Sequence, residues 1–382
     1  MIIGTSPICL IEAIYQSKFR EKILVVESDK DIGGAWRTIS LFNVADVEIG
    51  PHLIYSSCDN RDVYRFLNHL GISMKPVSPG PVSVLSGRFL GIKKIATRHQ
   101  WLEVVSELLD NSSEKKKSSS VELRRVIVRP LMAIIKQLLG FYTHPMYPEK
   151  GATDIIGKLA TMLDANRVEI QLNTKVSSLE IKRTNQTAIL HTNNSVVAAG
   201  KVIMTSHANL TGIYENGAPP LDLDFQTDEY TLIHLLVRDA RPSTFSYVRF
   251  YDNELLVRMS NLTKYARFDG QTEDLQILCL HVRQSLRSHN QHLETIFDFL
   301  KRSNYIGGDA LIVDHHFTDY IDAFLTGATM DAINKKYAPI VESLRTDDNL
   351  SYAISANLKR WRGYLLDGSN AAPKPRMLAG ER

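Results

Sequence analysis

The sequence has few cysteines and little excess charge, and each shortage argues against a class of protein. Its three cysteines, Cys9, Cys58 and Cys279, show no CxxC spacing, so neither a disulfide framework nor a zinc site is indicated. The net charge of +3 with 23% charged residues gives no argument for nucleic acid as the main partner. We therefore predict a reducing, cytoplasmic setting and no metal site.

Long apolar runs are also missing. The most apolar stretch, VIVRPLMAIIKQLLGFY at 126–142, is interrupted by Arg129, Pro130 and Lys136, and a membrane span needs about 20 apolar residues. We predict a buried or amphipathic helix there and no membrane association. The chain enters the apolar MIIG at once, so we expect no signal peptide ahead of it.

The first residues have the pattern of a βαβ unit. Apolar MIIG is followed by a turn, then by CLIEAIYQSKF with helical spacing, and then by the apolar run KILVVES. The crossover between parallel strands is right-handed, which places the first turn beside the end of the second strand at the carboxyl edge of the sheet.

The rest of the chain predicts a discontinuous first domain and a second domain with its own sheet. Helical patterns dominate 60–145 around the polar NSSEKKKSSS, and short strands follow the helix GATDIIGKLATMLDAN. Alternation between about 225 and 285 favours antiparallel strands, and we expect the chain after 285 to be helical. The predicted division is a nucleotide-binding domain at 1–60 and 145–210, with 345–370 as a candidate to complete it, a substrate domain at 61–144 and 211–344, and a flexible tail at 371–382.

Glu27 and a glycine pair follow the first turn at a suggestive spacing. Glu27 ends the second strand, where a carboxylate can accept hydrogen bonds from ribose hydroxyls. Gly33 and Gly34 allow the backbone to approach a phosphate or flavin closely. The alternative is a Rossmann-like sheet in which Glu27 is only a solvated strand end.

These segments resemble a known superfamily. IIGTSPICLIEA, VVESDKDIGGAWRT and DVEIGPHLIY are similar to the opening of the flavoproteins that include amine oxidases, protoporphyrinogen oxidase, phytoene desaturases and UDP-galactopyranose mutase. YPEKGATDIIGKLATML, VEIQLNTKVSSLEI and GKVIMTS resemble later parts of its FAD domain, and IGPHLIYSSCDNRDVYRFLN is most similar to the mutase branch. The resemblance covers about 1–60 and 145–207. It implies an α/β fold in which a Rossmann-like FAD domain carries a substrate domain of antiparallel sheet and helices.

The resemblance also implies roles for individual residues. Gly4, Ser6 and Cys9 would line the pyrophosphate, and Glu27 would hold the adenosine ribose. The remaining implied contacts are the pyrophosphate and flavin for Gly33, Gly34 and Arg37, the isoalloxazine ring for Gly50 and His52, and the adenine, through its backbone, for Val176. His52 could instead be a core histidine, and Arg37 a surface ion-pair partner.

The chain departs from the superfamily at both ends of the site. Ser6 stands where the glycine that admits the pyrophosphate belongs, and Cys9 replaces the glycine of close helix packing, so we expect the helix to shift outward slightly. The closing segment that faces the flavin has only a remnant in RGYLLDGSNAA, with Asp367 as its candidate residue. We therefore expect weaker FAD binding than in the relatives.

Arginines in the antiparallel segment predict the substrate side. Arg249, Arg258 and Arg267 occur there with Tyr247 and Tyr265, and alternation puts Arg249 on the strand face of Tyr247. We predict that Arg249 and His52 share one pocket and act on an anionic small-molecule substrate. Exposed arginines on the outer face are the alternative.

Three functions remain open at this point. The first is a FAD-dependent oxidoreductase that takes a hydride from a small molecule. The second is an isomerase similar to UDP-galactopyranose mutase, which uses reduced flavin on a nucleotide sugar. The third is a non-catalytic binding protein that kept the fold and lost FAD.

Overall fold

Five helices and 22 strands make up the described part of this computed structural model. The structure describes 1–20, 22–50, 52–56, 61–77, 82–85, 88–90, 144–205, 208, 210–215, 218–241, 245–250, 253, 255–265, 274–283, 289–344, 353–354, 356–358 and 360–361. The helices are α1 (Pro7–Gln16), α2 (Arg61–His69), α3 (Ala152–Ala165), α4 (His289–Arg302) and α5 (Gly327–Tyr337).

The strands of the first half are short. They are β1 (Ile2–Ile3), β2 (Leu24–Val26), β3 (Thr38–Leu41), β4 (Val44–Glu48), β5 (Ile54–Ser56), β6 (Met74–Pro76), β7 (Val82–Leu85), β8 (Arg88–Leu90), β9 (His144–Pro148), β10 (Glu169–Gln171) and β11 (Val176–Lys182).

The later strands include the two longest in the chain's described part. They are β12 (Thr187–Thr192), β13 (Val196–Ala199), β14 (Val202–Thr205), β15 (Gly212–Glu215), β16 (Ala218–Leu221), β17 (Phe225–Arg238), β18 (Tyr247–Phe250), β19 (Leu256–Asn261), β20 (Leu275–Arg283), β21 (Leu311–Leu325) and β22 (Val341–Leu344).

A parallel sheet carries the first turn. Its strand order is β10, β2, β1, β14, β22, and every pairing is parallel. Helices α1, α2 and α3 cover one face in a core that also holds Ile354 and Trp361. The other face packs on the sheet β13, β12, β11, β15, β16 and on α5. The predicted Rossmann-like α/β fold is thereby confirmed.

The second large sheet has seven strands in the order β21, β17, β20, β19, β18, β7, β8. All its pairings are antiparallel except that of β18 with β7. Alternation along β17 and β20 buries one face against α4, and the other face meets the segment from Val47 to Leu53. The antiparallel sheet predicted from the alternation therefore contacts a segment of the predicted nucleotide-binding domain.

Two segments differ from the sequence expectation. The chain after 285 is not wholly helical, because β21 pairs with β17 along its length. As an edge strand β21 carries charged residues, and these interrupt the apolar alternation from which a strand is predicted. In addition, β22 lies within the range expected for the substrate domain and pairs with β14 of the parallel sheet. The division into two domains stays a prediction, and these contacts favour counting β22 and α2 with the first.

Candidate functional site

The first turn joins the ends of β1 and β2. Gly4 has φ +95°, a conformation that favours glycine, and its amide donates to the Val26 carbonyl at 2.8 Å. Ser6 precedes α1 and Pro7 occupies its first turn, with no side-chain cap on the helix. Backbone N–H groups in the first turn of a helix have no intrahelical acceptor and can bind an anion.

Cys9 fills the contact between α1 and the sheet. Its Sγ lies 3.6 Å from where a Cβ on Gly4 would be and donates to the Ile3 carbonyl at 3.5 Å. Burial raises the pKa of the Cys9 thiol to about 12. The side chain is therefore a neutral part of the core, whereas the resemblance implied that it lines the pyrophosphate.

Glu27 is buried at the end of β2 and bonded on both oxygens. Oε2 accepts from the Thr5 amide at 2.9 Å and from the Thr5 hydroxyl at 2.5 Å. Oε1 accepts from the Ser28 hydroxyl at 3.1 Å and from the Asp29 amide at 3.0 Å. Thr5 carried no sequence signal, because a residue between two turn positions looks like a spacer.

The glycine pair lies directly against the first turn. Gly33 has φ +115° and Gly34 φ +57°. A Cβ on Gly34 would come within 3.5 Å of the Ser6 Cα, and one on Gly33 within 3.3 Å of the Ile156 side chain. A Cβ on Gly34 would be in ordinary van der Waals contact with Ser6, so the positive φ angles rather than lack of space favour glycine at this pair.

Two other predicted cofactor contacts flank this turn. Arg37 makes an ion pair with Asp29, which matches the alternative of a surface ion-pair partner. Val176 begins β11 and its side chain is buried in the core beside Val26. The nearby Thr174 amide donates to the Glu27 carbonyl at 2.7 Å, so this segment lies beside the predicted ribose site.

His52 lies in a buried polar group beside Gly50. Its ring packs against Trp36 at a tilt of 35°, with centroids 4.5 Å apart, and its Nδ1 lies 3.5 Å from Glu48 Oε2. Glu48 Oε1 and His52 Nδ1 are buried with no hydrogen-bond partner among the described residues. Such atoms are costly unless something satisfies them.

The antiparallel sheet contributes Arg258 to this group. An Nη atom of Arg258 lies 3.6 Å from where a Cβ on Gly50 would be. Arg249 pairs with Arg258 across the strands and is exposed. This direct pairing puts both arginines on one face of the sheet. The sequence pattern favoured Arg249, but Arg258 is the less exposed of the two and is the one that reaches Gly50.

His234 fixes the other end of the same group. Its Nε2 donates to the Glu48 carbonyl at 3.2 Å. Burial lowers the pKa of His234 to about 4, so the ring is neutral at physiological pH. Together Glu48, His52, His234 and Arg258 form what we term the polar cluster, where the segment between β4 and β5 meets the seven-stranded sheet.

Some predictions fall on residues outside the described ranges. They are Cys58, Arg267, Asp367, the helix predicted at 126–142 and the tail predicted at 371–382. In the part of the chain that the structure describes, no group of three or more His, Cys, Asp and Glu side chains could hold a metal ion. No helix within the same residues is long and apolar enough to cross a membrane.

A family model matches the part of the chain that holds the first turn and the glycine pair. The family of NAD(P)-binding Rossmann-like domains matches residues 2–70. A comparison with curated proteins finds no significant match.

Solved structures match nearly the whole chain. Putrescine oxidase bound to putrescine has 14% identity and a TM-score of 0.62, over 95% of this chain and 98% of its own. Cyclohexylamine oxidase from Brevibacterium oxydans IH-35A has 14% identity and a TM-score of 0.60, over 96% and 98%. Reduced UDP-galactopyranose mutase has 13% identity and a TM-score of 0.66, over 96% and 94%.

The likeness to these structures extends over nearly the whole chain, at TM-scores of 0.60 to 0.66. The resemblance predicted from the sequence is confirmed at the level of the fold. The chain shares its fold with these two solved amine oxidases and with the mutase.

Proposed function

We propose that this protein binds FAD at the carboxyl edge of the parallel sheet and is a FAD-dependent oxidoreductase. The observation that carries the proposal is the convergence of the α1 N-terminus, Glu27 and the glycine pair on one turn. A dinucleotide needs these three parts together: donors for the pyrophosphate, a carboxylate for the ribose and a backbone without Cβ atoms.

The residues around the first turn fit the nucleotide part of FAD. Gly33 and Gly34 hold positive φ angles and leave a surface free of side-chain bulk beside Ser6. The Ser6 hydroxyl points to Cys9 Sγ, at 3.4 Å, and so takes no α1 backbone donor away from an anion. These features support the predicted roles of Gly4, Ser6, Gly33 and Gly34.

The polar cluster fits the isoalloxazine ring of FAD. A flavin has a polar edge of carbonyl, ring nitrogen and N–H groups, and the buried, unpartnered Glu48 Oε1 and His52 Nδ1 offer it an acceptor and a second polar atom. Arg258 adds a positive charge beside Gly50. These features support placing Gly50 and His52 near the ring.

FAD would supply the hydride-accepting chemistry. Trp36 packs against the His52 ring and would limit the orientations that this ring takes beside the flavin. The arginine pair Arg249 and Arg258 would attract an anionic substrate toward the polar cluster. The small-molecule substrate and the reaction are thus part of the proposal.

Two other functions each have one observation in their favour. The mutase has the highest TM-score of the three solved structures above, which favours a nucleotide-sugar isomerase. The four protein donors on Glu27 favour a protein that kept the fold and lost FAD, because a carboxylate has about four acceptor sites.

The test is the visible spectrum of the purified protein, followed by titration of the apoprotein with FAD. We expect a flavin spectrum, and we expect Glu27→Ala to weaken FAD binding at least tenfold, since hydrogen bonds to a charged group contribute about 1.5–3 kcal/mol. Glu169→Ala, on an exposed strand end of the same sheet, is the matched control and should bind like the wild type.

The outcomes separate the three functions. A wild-type protein that neither carries nor binds FAD would overturn the proposal and leave the non-catalytic function. Turnover of UDP-galactopyranose by the reduced protein, without net oxidation, would assign the isomerase instead.

A further inference from the structure

Thr5 connects three parts of the nucleotide site through one buried side chain. Its amide and its hydroxyl both donate to Glu27 Oε2, at 2.9 Å and 2.5 Å. The same hydroxyl accepts from the Gly33 amide at 3.0 Å. Thr5 is fully buried, so water cannot replace any of these bonds without local opening.

The hydrogen bonds to Glu27 leave its two oxygens unequally available to a ligand. Oε2 is committed to two buried donors on Thr5. Oε1 is bonded to the Asp29 amide and to the hydroxyl of Ser28, which is an exposed residue. Because a serine hydroxyl rotates freely and can bond to water instead, only Oε1 can exchange a protein donor for a ligand hydroxyl at small cost.

We propose that Thr5 is the positioning residue of the nucleotide site, and that it leaves Oε1 as the single Glu27 oxygen that a ribose can reach. The hydroxyl of Thr5 holds the Glu27 carboxylate and the glycine pair in one arrangement. Without it, Oε2 loses one donor and the Gly33 amide loses its acceptor. This inference rests on the proposed binding of FAD.

The first experiment compares Thr5→Val with Thr5→Ser. Valine keeps the volume and removes the hydroxyl, and we expect it to raise the dissociation constant of FAD at least tenfold, measured by quenching of flavin fluorescence on the apoprotein. Serine keeps the hydroxyl and should bind FAD within about threefold of the wild type. Equal affinity of Thr5→Val and wild type would overturn the positioning role.

Thr231→Val separates this role from general stability. Thr231 is equally buried, and its hydroxyl donates to Asp319 Oδ1 at 2.7 Å in the other large sheet. We expect it to lower the Tm of the apoprotein as Thr5→Val does, with no change in FAD affinity. A similar loss of FAD affinity in both variants would reduce Thr5 to a stabilising residue and overturn the proposal.

Ser28→Ala tests the role of Oε1 on an exposed residue, without risk to the fold. Removing this competing donor should leave FAD binding as tight as in the wild type or tighter. A loss of more than about threefold would show that Oε1 is not the oxygen that faces the ribose.

Deoxy analogues give a second, ligand-side test. With one oxygen available, either 2′-deoxy-ADP or 3′-deoxy-ADP, but not both, should displace FAD as well as ADP does. Weakening by both analogues, or by neither, would overturn the single-oxygen assignment. Failure of the wild type to bind FAD at all would instead remove the proposed function.

Discussion

At the scale of single residues, the substitutions in the glycine turn are accommodated without loss of its shape. The Cys9 side chain packs into the core between α1 and β1, and Ser6 turns its hydroxyl toward Cys9. Gly4 keeps the positive φ that the turn requires. The turn therefore retains its backbone while two of its three glycine positions carry side chains.

Ser6→Gly tests whether the serine takes part in binding. Because its hydroxyl bonds to Sγ and caps no α1 amide, we expect FAD affinity within about twofold of the wild type or better. Loss of the side chain at a helix N-cap to glycine costs only a few tenths of a kcal/mol. A tenfold loss in a fluorescence titration would show that Ser6 donates to the pyrophosphate.

Cys9 and Cys279 should be unreactive in the folded protein. Burial raises the pKa of both thiols to about 12, and only the thiolate is nucleophilic. We expect neither residue to be alkylated by iodoacetamide at pH 8 until the protein is unfolded in urea, as read by peptide mass spectrometry. Modification of either thiol in the native state would contradict the burial.

At the scale of elements, α1 is tied to the chain's C-terminal part by a buried carboxylate. Glu12 accepts from Trp361 Nε1 at 2.8 Å, Arg360 Nε at 3.0 Å and Gln16 Nε2 at 2.7 Å. Arg360 also pairs with Glu342 of β22. Burial acts to lower the pKa of Arg360, but Glu12 and Glu342 outweigh it and raise the pKa above its ordinary value.

Trp361→Phe should weaken this connection. Phenylalanine can keep the stacking on Phe66, whose ring centroid lies 5.8 Å away, but it removes a donor to a buried carboxylate. We expect a loss of about 1.5–3 kcal/mol in the free energy of unfolding by urea. In a double-mutant cycle with Glu12→Gln the two losses should not add, and full additivity would refute the contact.

At the scale of the whole molecule, the polar cluster lies where the nucleotide half meets the antiparallel sheet. His234 of β17 holds the Glu48 carbonyl from one side, and Arg258 of β19 reaches Gly50. The ring of a bound cofactor and the substrate would meet at this contact in the proposed function. The contribution of the polar cluster to stability and the effect of its charge on a bound flavin can therefore be tested separately.

Stability should fall on acidification because of His234. Its pKa is lowered from 6.5 to about 4 in the folded protein, so the unfolded chain binds the proton more tightly. The contribution is present above about pH 6.5 and is lost as the pH falls toward 4, at about 1.4 kcal/mol per unit. Urea unfolding across this range should show a smaller loss in His234→Gln, and an equal loss would contradict it.

Arg258 and Arg249 should differ in their effect on a bound flavin. Removing a nearby cation disfavours addition of electrons, so we expect Arg258→Met to lower the flavin reduction potential and to change its visible spectrum. Arg249→Met should leave the flavin content and potential unchanged and weaken the binding of anionic substrate. Equal potentials in Arg258→Met and wild type would place this side chain away from the ring.

The sequence by itself determined the βαβ unit and the antiparallel sheet, because these follow from local periodicity and from short-range spacings such as Gly4 to Glu27 and Glu27 to Gly33. Its resemblance to known flavoproteins added the overall fold. The sequence did not reveal the edge strand β21, because the charged residues of this strand interrupt its apolar pattern. It could not show that Thr5 occupies one oxygen of Glu27, or that Arg258 rather than Arg249 reaches Gly50. Those contacts depend on how segments distant in the sequence pack against one another, and only the tertiary structure decides that packing.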